Sequence, residues 1–245
     1  MLRLYTFALS HFAEKVRWTL DRNDVPYEER RLVPGTHIPT IRRLAPKTTV
    51  PLLVDDGEVV QGSSAIVDYV EQRRGAKRLA PAASTAARCA EIETLADHAF
   101  GLCGTRIFYD TLLAHRGVVV DLWTQGGPSW GRAFINLTYP LVARGTKRRY
   151  NLRPEKVREA KDALRRAMDT TDRWLEGHPY LLGETFSRAD VTVSALLSIL
   201  SRPEEHVLRW PAAFPEPLAA FVDELVERPT WKHALRMYRE ERRPR

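Results

Sequence analysis

Residues 48–70 read TTVPLLVDDGEVVQGSSAIVDYV. A proline heads a short apolar strand, the chain turns on Asp55-Asp56-Gly57, a second strand follows, and a helix opens on Gly62-Ser63-Ser64. Each feature has a local explanation, but in this order they outline a site built to hold a small peptide. Upstream, ALSHFAEK at residues 8–15 sets Ser10 and His11 at a strand-to-helix turn. An imidazole of ordinary pKa suits proton transfer, although a lone loop histidine is expected to face solvent. Cys89 and Cys103 stand 14 positions apart, which is neither a disulfide framework nor a metal-ligand spacing. No G-x-G-x-x-G follows the first strand, so a dinucleotide fold is not expected.

These residues need elements to hold them. Hydrophobic periodicity predicts a strand over residues 2–7, a helix over 12–25 with Val16, Trp18 and Leu20, and a charged strand candidate over 27–33. A short helix at 40–44, strands at 51–55 and 58–61 joined at Asp55-Asp56-Gly57, and a helix over 63–74 complete the order. From 75 to 84 the chain reads GAKRLAPAAS, a linker with Pro81 as a helix stop. Beyond it Ile92, Leu95, Ala99 and Leu102 repeat at helical spacing, as do Val157, Ala160, Leu164, Ala167 and Thr171. The expected division is 1–75, linker 76–84, and an all-helical 85–245.

Two segments stand out within the helical part. Residues 121–145, rich in Trp, Gly and Pro, are expected to interrupt the bundle, either as a connection with Trp123 and Trp130 in the core or as a lid over a substrate pocket. Ser187 and Asp190 fit a capping box opening a central, buried helix, and no chemistry is assigned to them.

Composition narrows the function classes. The 245 residues are 44% hydrophobic with six Trp, which supports real cores. No stretch approaches the roughly 20 apolar residues of a membrane span, and the start lacks a secretory pattern. A cytoplasmic protein without membrane partners is expected. The net charge of +7 comes from stretches such as residues 145–153 and the tail 238–245, read as solvated helical faces, with partnering through the tail as a minor alternative. Without a recognised motif this charge does not point to nucleic acid.

Taken in order, SHFAEKVRW after strand one, Val50-Pro51 before strand three, SSAI opening the third helix and FSRAD in the helical part resemble the soluble glutathione S-transferase superfamily over nearly the whole chain. The resemblance implies an α/β thioredoxin-like N-terminal domain followed by an all-α C-terminal bundle, glutathione as co-substrate, no metal, and a homodimer. It implies a cis Val50-Pro51 bond, which leaves the Val50 backbone to pair with the cysteinyl part of glutathione. Ser63, at a helix N-terminus whose N–H groups and dipole favour anions, would hold the γ-glutamyl carboxylate; a plain helix cap is its other reading.

Ser10 falls where relatives carry a catalytic Ser or Cys. A hydroxyl donating to sulfur favours the thiolate, so Ser10 is expected either to activate glutathione or only to cap its helix. Tyr5, His11 and Ala13 compete for that role; the Tyr of tyrosine-type classes would fall at Thr6, one position from Tyr5 and on the other side of the strand. With no Cys at this turn, mixed-disulfide chemistry through the protein is not expected. Glutathione itself would attack a small apolar electrophile lying against the helix of residues 90–113 and Trp123, Trp130 or Phe134. Two positions depart from the pattern. Gly62 replaces the usual Glu, Gln or Asp, with Gln61 one place early, and Thr49 replaces a Lys, with Lys47 two residues back. Both fall on glutathione contacts, so a non-catalytic binding or interaction module is the alternative reading.

Overall fold

The computed structural model describes residues 1–243; Pro244 and Arg245, at the end of the basic tail, lie outside the described residues. The chain begins β1 (Arg3–Phe7), α1 (His11–Arg22), β2 (Glu28–Leu32), α2 (His37–Arg42), β3 (Leu52–Asp55), β4 (Glu58–Gln61) and α3 (Ser63–Arg73). The short helix expected at 40–44 starts three residues earlier, at His37. The strands form one sheet in the order β2-β1-β3-β4. β1 and β2 are parallel, which requires the crossover that α1 supplies, and β3 runs antiparallel to both β1 and β4. Asp56 and Gly57 both have positive φ, 47° and 94°, the pairing a tight hairpin between twisted strands demands.

Helices make up the rest: α4 (Ala86–Ala96), a π-helical stretch (Asp97–Cys103), α5 (Gly104–Leu112), α6 (Arg116–Thr124), α7 (Gly131–Tyr150), α8 (Pro154–Leu175), α9 (Arg188–Ser201), α10 (Leu218–Asp223) and α11 (Pro229–Glu241). The central helix is α9, buried along nearly its whole length as its all-round apolar sequence requires. Its capping box forms as expected. Ser187 accepts from the first turn, and Asp190 takes the Ser187 N–H at 2.9 Å and also the Leu181 N–H at 2.8 Å.

The helix α1 lies between the sheet and α9, so its charges are not solvated. Glu14, Lys15, Arg17 and Asp21 are buried and find partners on other elements. Lys15 bonds Ser64 of α3 at 3.0 Å and Glu93 of α4 at 2.8 Å, while Arg17 pairs with Glu14 and with Glu29 of β2. Arg242 pairs with Glu14 at 2.8 Å and Asp21 at 2.9 Å, and its guanidinium lies 5.7 Å from the Trp18 ring centre. Burial alone would raise the Glu14 carboxyl, but Arg242, His206 and Arg17 outweigh it and hold it near 2. The tail is therefore only partly a basic surface up to Arg242, because Tyr238 and Arg242 are packed inside while Arg239 is exposed.

Two helical expectations change. Leu102 is 49% exposed, because the π-helical stretch adds a residue to the turn and rotates Phe100 and Cys103 into the core in its place. Residues 121–145 are mostly helix, with only a short turn between α6 and α7. Pro140 sits inside α7 on its exposed side, and the Asn136 carbonyl that it deprives of a donor accepts from the Arg116 guanidinium instead. Trp123 is core, donating to the Tyr109 hydroxyl at 2.9 Å, whereas Trp130 is 52% exposed.

Candidate functional site

Antiparallel pairing places the end of β1 beside the start of β3, since Tyr5 faces Leu52, and the end of β4 beside the same residue, since Gln61 also faces Leu52. Ser10, Val50-Pro51 and Ser63 therefore gather at one end of the sheet. The register alone brings together residues that are up to 53 positions apart.

Ser10 caps α1, its Oγ accepting the Ala13 N–H at 3.1 Å. That bond uses a lone pair. The hydroxyl proton is donated to no described residue and stays available to an anion. The residues after Ser10 are clamped to the helical part. His11 Nε2 lies 3.2 Å from the Gly101 carbonyl, and Phe12 lies so close to Gly101 that a Cβ there would meet the ring at 2.5 Å. Gly101 is thus required by close approach.

His11 does not face solvent as expected. It is 5% exposed, and desolvation, only partly opposed by the bond to Gly101, lowers its pKa to about 4. Facing a carbonyl, Nε2 donates, so the ring is a neutral anchor at neutral pH. The competitors on β1 are occupied. Thr6 is fully buried and donates to Glu29 at 2.7 Å, and Tyr5 packs beside Ile41 and Leu52. Ala13 contributes only the N–H that Ser10 accepts.

The Val50-Pro51 bond is cis. The Val50 N–H and C=O pair with no described residue, although buried or half-buried backbone groups normally find partners. Pro51 accepts the Gly62 N–H at 3.0 Å, which ties this edge to the start of α3. Gly62, rather than Ser63, is the cap residue of α3, with φ of 103° that glycine adopts without strain. Ser63 is the first helical residue, 7% exposed, and its hydroxyl bonds no described residue. The plain-cap reading of Ser63 is thereby corrected: a residue inside the first turn does not cap it.

Gln61 and Lys47 stand differently. The Gln61 amide donates to the Lys47 carbonyl at 2.8 Å and the Thr49 carbonyl at 2.7 Å, bracing the loop that presents Val50. The Lys47 side chain is exposed and forms no ion pair among the described residues. Sequence reasoning missed Lys15, Ser64 and Asp97. Lys15 reaches Ser64 one residue past Ser63, and Ser64 bonds Asp97 at 3.2 Å, so the start of α3 is fixed by partly buried polar contacts. Nothing in the spacing of these three announces that contact.

Both cysteines are buried free thiols, and burial pushes Cys89 up to about 12, so neither supplies a ready thiolate. Among the described residues no cluster of His, Cys, Asp or Glu is arranged to hold a metal ion, and no helix is long and apolar enough to cross a membrane. A cleft of about 750 Å³ opens between α6, the turn after it and residues 207–211, with Arg31, Arg132 and Trp210 on its walls; Ser10, Val50 and Ser63 are not part of it.

Comparison with known proteins now bears on this geometry. Residues 4–78 match the family description "Glutathione S-transferase, N-terminal domain", and residues 139–229 match "Glutathione S-transferase, C-terminal domain", together more than half of the chain. The chain belongs to the glutathione S-transferase superfamily. A glutathione S-transferase of Pseudomonas putida strain F1 is 32% identical over 82 residues, which are 34% of this chain and 37% of that relative. The match thus spans little more than a third of the relative's length. Among solved structures, a glutathione S-transferase of Ceriporiopsis subvermispora in complex with glutathione superposes with a TM-score of 0.65 at 17% identity, covering 98% of this chain and 97% of the other. The beta-etherase LigF of Sphingobium sp. strain SYK-6 gives 0.60 at 20% identity, covering 96% and 98%. At these identities the structures speak for the fold, a mixed four-stranded sheet with helices followed by an all-helical region, and not for a particular substrate.

Proposed function

We propose that this glutathione S-transferase family member binds glutathione at the sheet end formed by Ser10, Val50-Pro51 and Ser63 and activates its thiol. One observation carries the reading: three unspent polar groups, the Val50 backbone, the Ser63 hydroxyl and the Ser10 proton, meet at one edge. The Val50 N–H and C=O take the cysteinyl segment as a short antiparallel strand, which aims the thiol along the edge toward Ser10. Ser63 and the free N–H groups of α3 receive the γ-glutamyl carboxylate.

A free thiol has a pKa of about 8.5. The Ser10 O–H donates to sulfur while the first turn of α1 supplies positive dipole, and both favour the thiolate; the proton leaves to solvent. The sulfur then attacks a small apolar electrophile held between Ser10 and the helical stretch of residues 90–113, forming a carbon–sulfur bond as the electrophile's leaving group departs or its π bond takes up the electron pair. Lys47 is left to meet the glycyl carboxylate by its flexible stem. The same reading retains the domain division 1–75 and 85–245 with its linker, a homodimer, a cytoplasmic setting and a detoxifying role.

A non-catalytic module is the second reading, and a specific observation favours it. Gly62 offers no side chain, and the Gln61 amide is spent on the Lys47 and Thr49 carbonyls rather than on a ligand. Calorimetric titration with reduced glutathione separates the two. Binding at millimolar concentration that weakens about tenfold in Ser63→Ala is the expected result, the loss of one hydrogen bond to a charged group. No heat in either protein would turn the assignment to the module.

A further inference from the structure

The helix α7 is unlike every other long helix of the molecule in what it shows to solvent. Its inner face packs through Ile135, Tyr139 and Ala143. Its outer face exposes Leu137 at 84% and Leu141 at 74%, one turn apart, with Trp130 at 52% just before the helix. Beyond them the same helix ends in Arg144, Lys147, Arg148 and Arg149, all exposed and none in an ion pair with a described residue. Residues 122–154 contain no Asp or Glu, so no acid of the segment itself offsets this charge.

We infer that the outer face of α7 docks on an anionic lipid surface, lying in the interface rather than crossing it. The chemistry is that of an amphipathic interfacial helix, with leucines and a Trp to enter the acyl boundary and arginines and lysines to meet anionic headgroups. The inference departs from the expectation of no membrane partner, while no helix of the described residues is long and apolar enough to span a bilayer: the outer face of this 20-residue helix is apolar at Leu137 and Leu141 and basic beyond them, and its inner face is core. The basic end favours an anionic over a neutral bilayer. Two protruding leucines disfavour nucleic acid, which would bind the basic end but leave Leu137 and Leu141 in water.

Co-sedimentation with vesicles of phosphatidylcholine containing phosphatidylglycerol tests this, with pure phosphatidylcholine vesicles beside it. The protein is expected to sediment with the anionic vesicles at low salt and not with the neutral ones. Both Leu137→Ser/Leu141→Ser and Arg144→Glu/Arg148→Glu should weaken sedimentation about tenfold, with circular dichroism and melting unchanged because these side chains are solvent-facing. The vesicle-induced blue shift of Trp emission should vanish in Trp130→Phe. Failure to sediment, or sedimentation indifferent to the leucine pair, overturns the inference. So does self-association abolished by the leucine pair without vesicle binding, which would make a second copy the occupant, or retention on duplex DNA that exceeds retention on vesicles. Glutathione plays no part in these readouts, so they stand apart from the fate of the proposed activity.

Discussion

Two serine-headed helices open in contrasting ways. At α9 the cap is closed: Ser187 and Asp190 satisfy each other, Asp190 also holds the Leu181 N–H, and all three residues are buried. At α1 the cap is open. Ser10 accepts one N–H, keeps its proton, and remains half-exposed beside a second helix start, that of α3, whose Ser63 is unspent as well. The same residue type at the same local position is thus structural where every donor is matched and a candidate for chemistry where one is left over.

Removing the closed cap's acid should have the largest effect. Asp190→Ala strands the Leu181 and Ser187 N–H groups in the core and should cost about 3–5 kcal/mol, read as a lowered denaturant midpoint or failure to fold. A loss under about 1 kcal/mol would mean that α9 does not depend on its box, and the contrast would fail on the structural side.

The paired test is Ser10→Ala against Ser187→Ala. Each should cost about 1 kcal/mol as a lost cap, but only Ser10→Ala should lower the conjugation rate, by about tenfold or more. Equal rates for both variants, in a protein that conjugates glutathione, would reduce Ser10 to a second Ser187.

Acid offers the finest probe of the open side. His11 and His206 are buried with pKa lowered to about 4 from an ordinary 6.5, so the unfolded chain takes up protons that the native one refuses. Their contribution is whole above pH 6.5 and is lost as pH falls toward 4, by about 1.4 kcal/mol per pH unit for each imidazole. Melting temperatures across that window should fall in the native protein and fall less steeply in His11→Gln. Identical slopes would show that His11 is protonated or exposed in solution, and that the clamp on the residue after Ser10 is absent.

Much of the framework was legible beforehand. Strand, helix, strand, helix, hairpin and helix followed from alternation, Asp56-Gly57 and Pro51, because these are local backbone preferences written in neighbouring residues. Ser187 and Asp190 were legible for the same reason, their partners being three residues apart. Ser10, Val50 and Ser63 could be proposed from the sequence, while the assignment of Ser63 to the first turn, of Gln61 to bracing a loop and of His11 to the interior could not. Those depend on which elements pack against them. Leu102 and the core alternative for Trp130 failed for a related reason: a π-helical turn shifts the phase of a helix, and a helix lying on the bundle's surface leaves one face uncovered, neither of which periodicity reports.

By itself, then, the sequence determined the order of elements in the sheet-bearing part, the Ser10 and Ser187 caps, the tight turn and the list of side chains with chemical capacity, since each depends on contacts a few residues long. Tertiary structure alone decided which charges are buried and with whom. Lys15 meets Ser64 and Glu93, and Glu14 meets Arg242 from the far end of the chain, 228 positions away. A buried ion is tolerable only with its partner in place, and that partner is chosen by packing, which no local pattern encodes. Whether a hydroxyl is spent or free is settled in the same way.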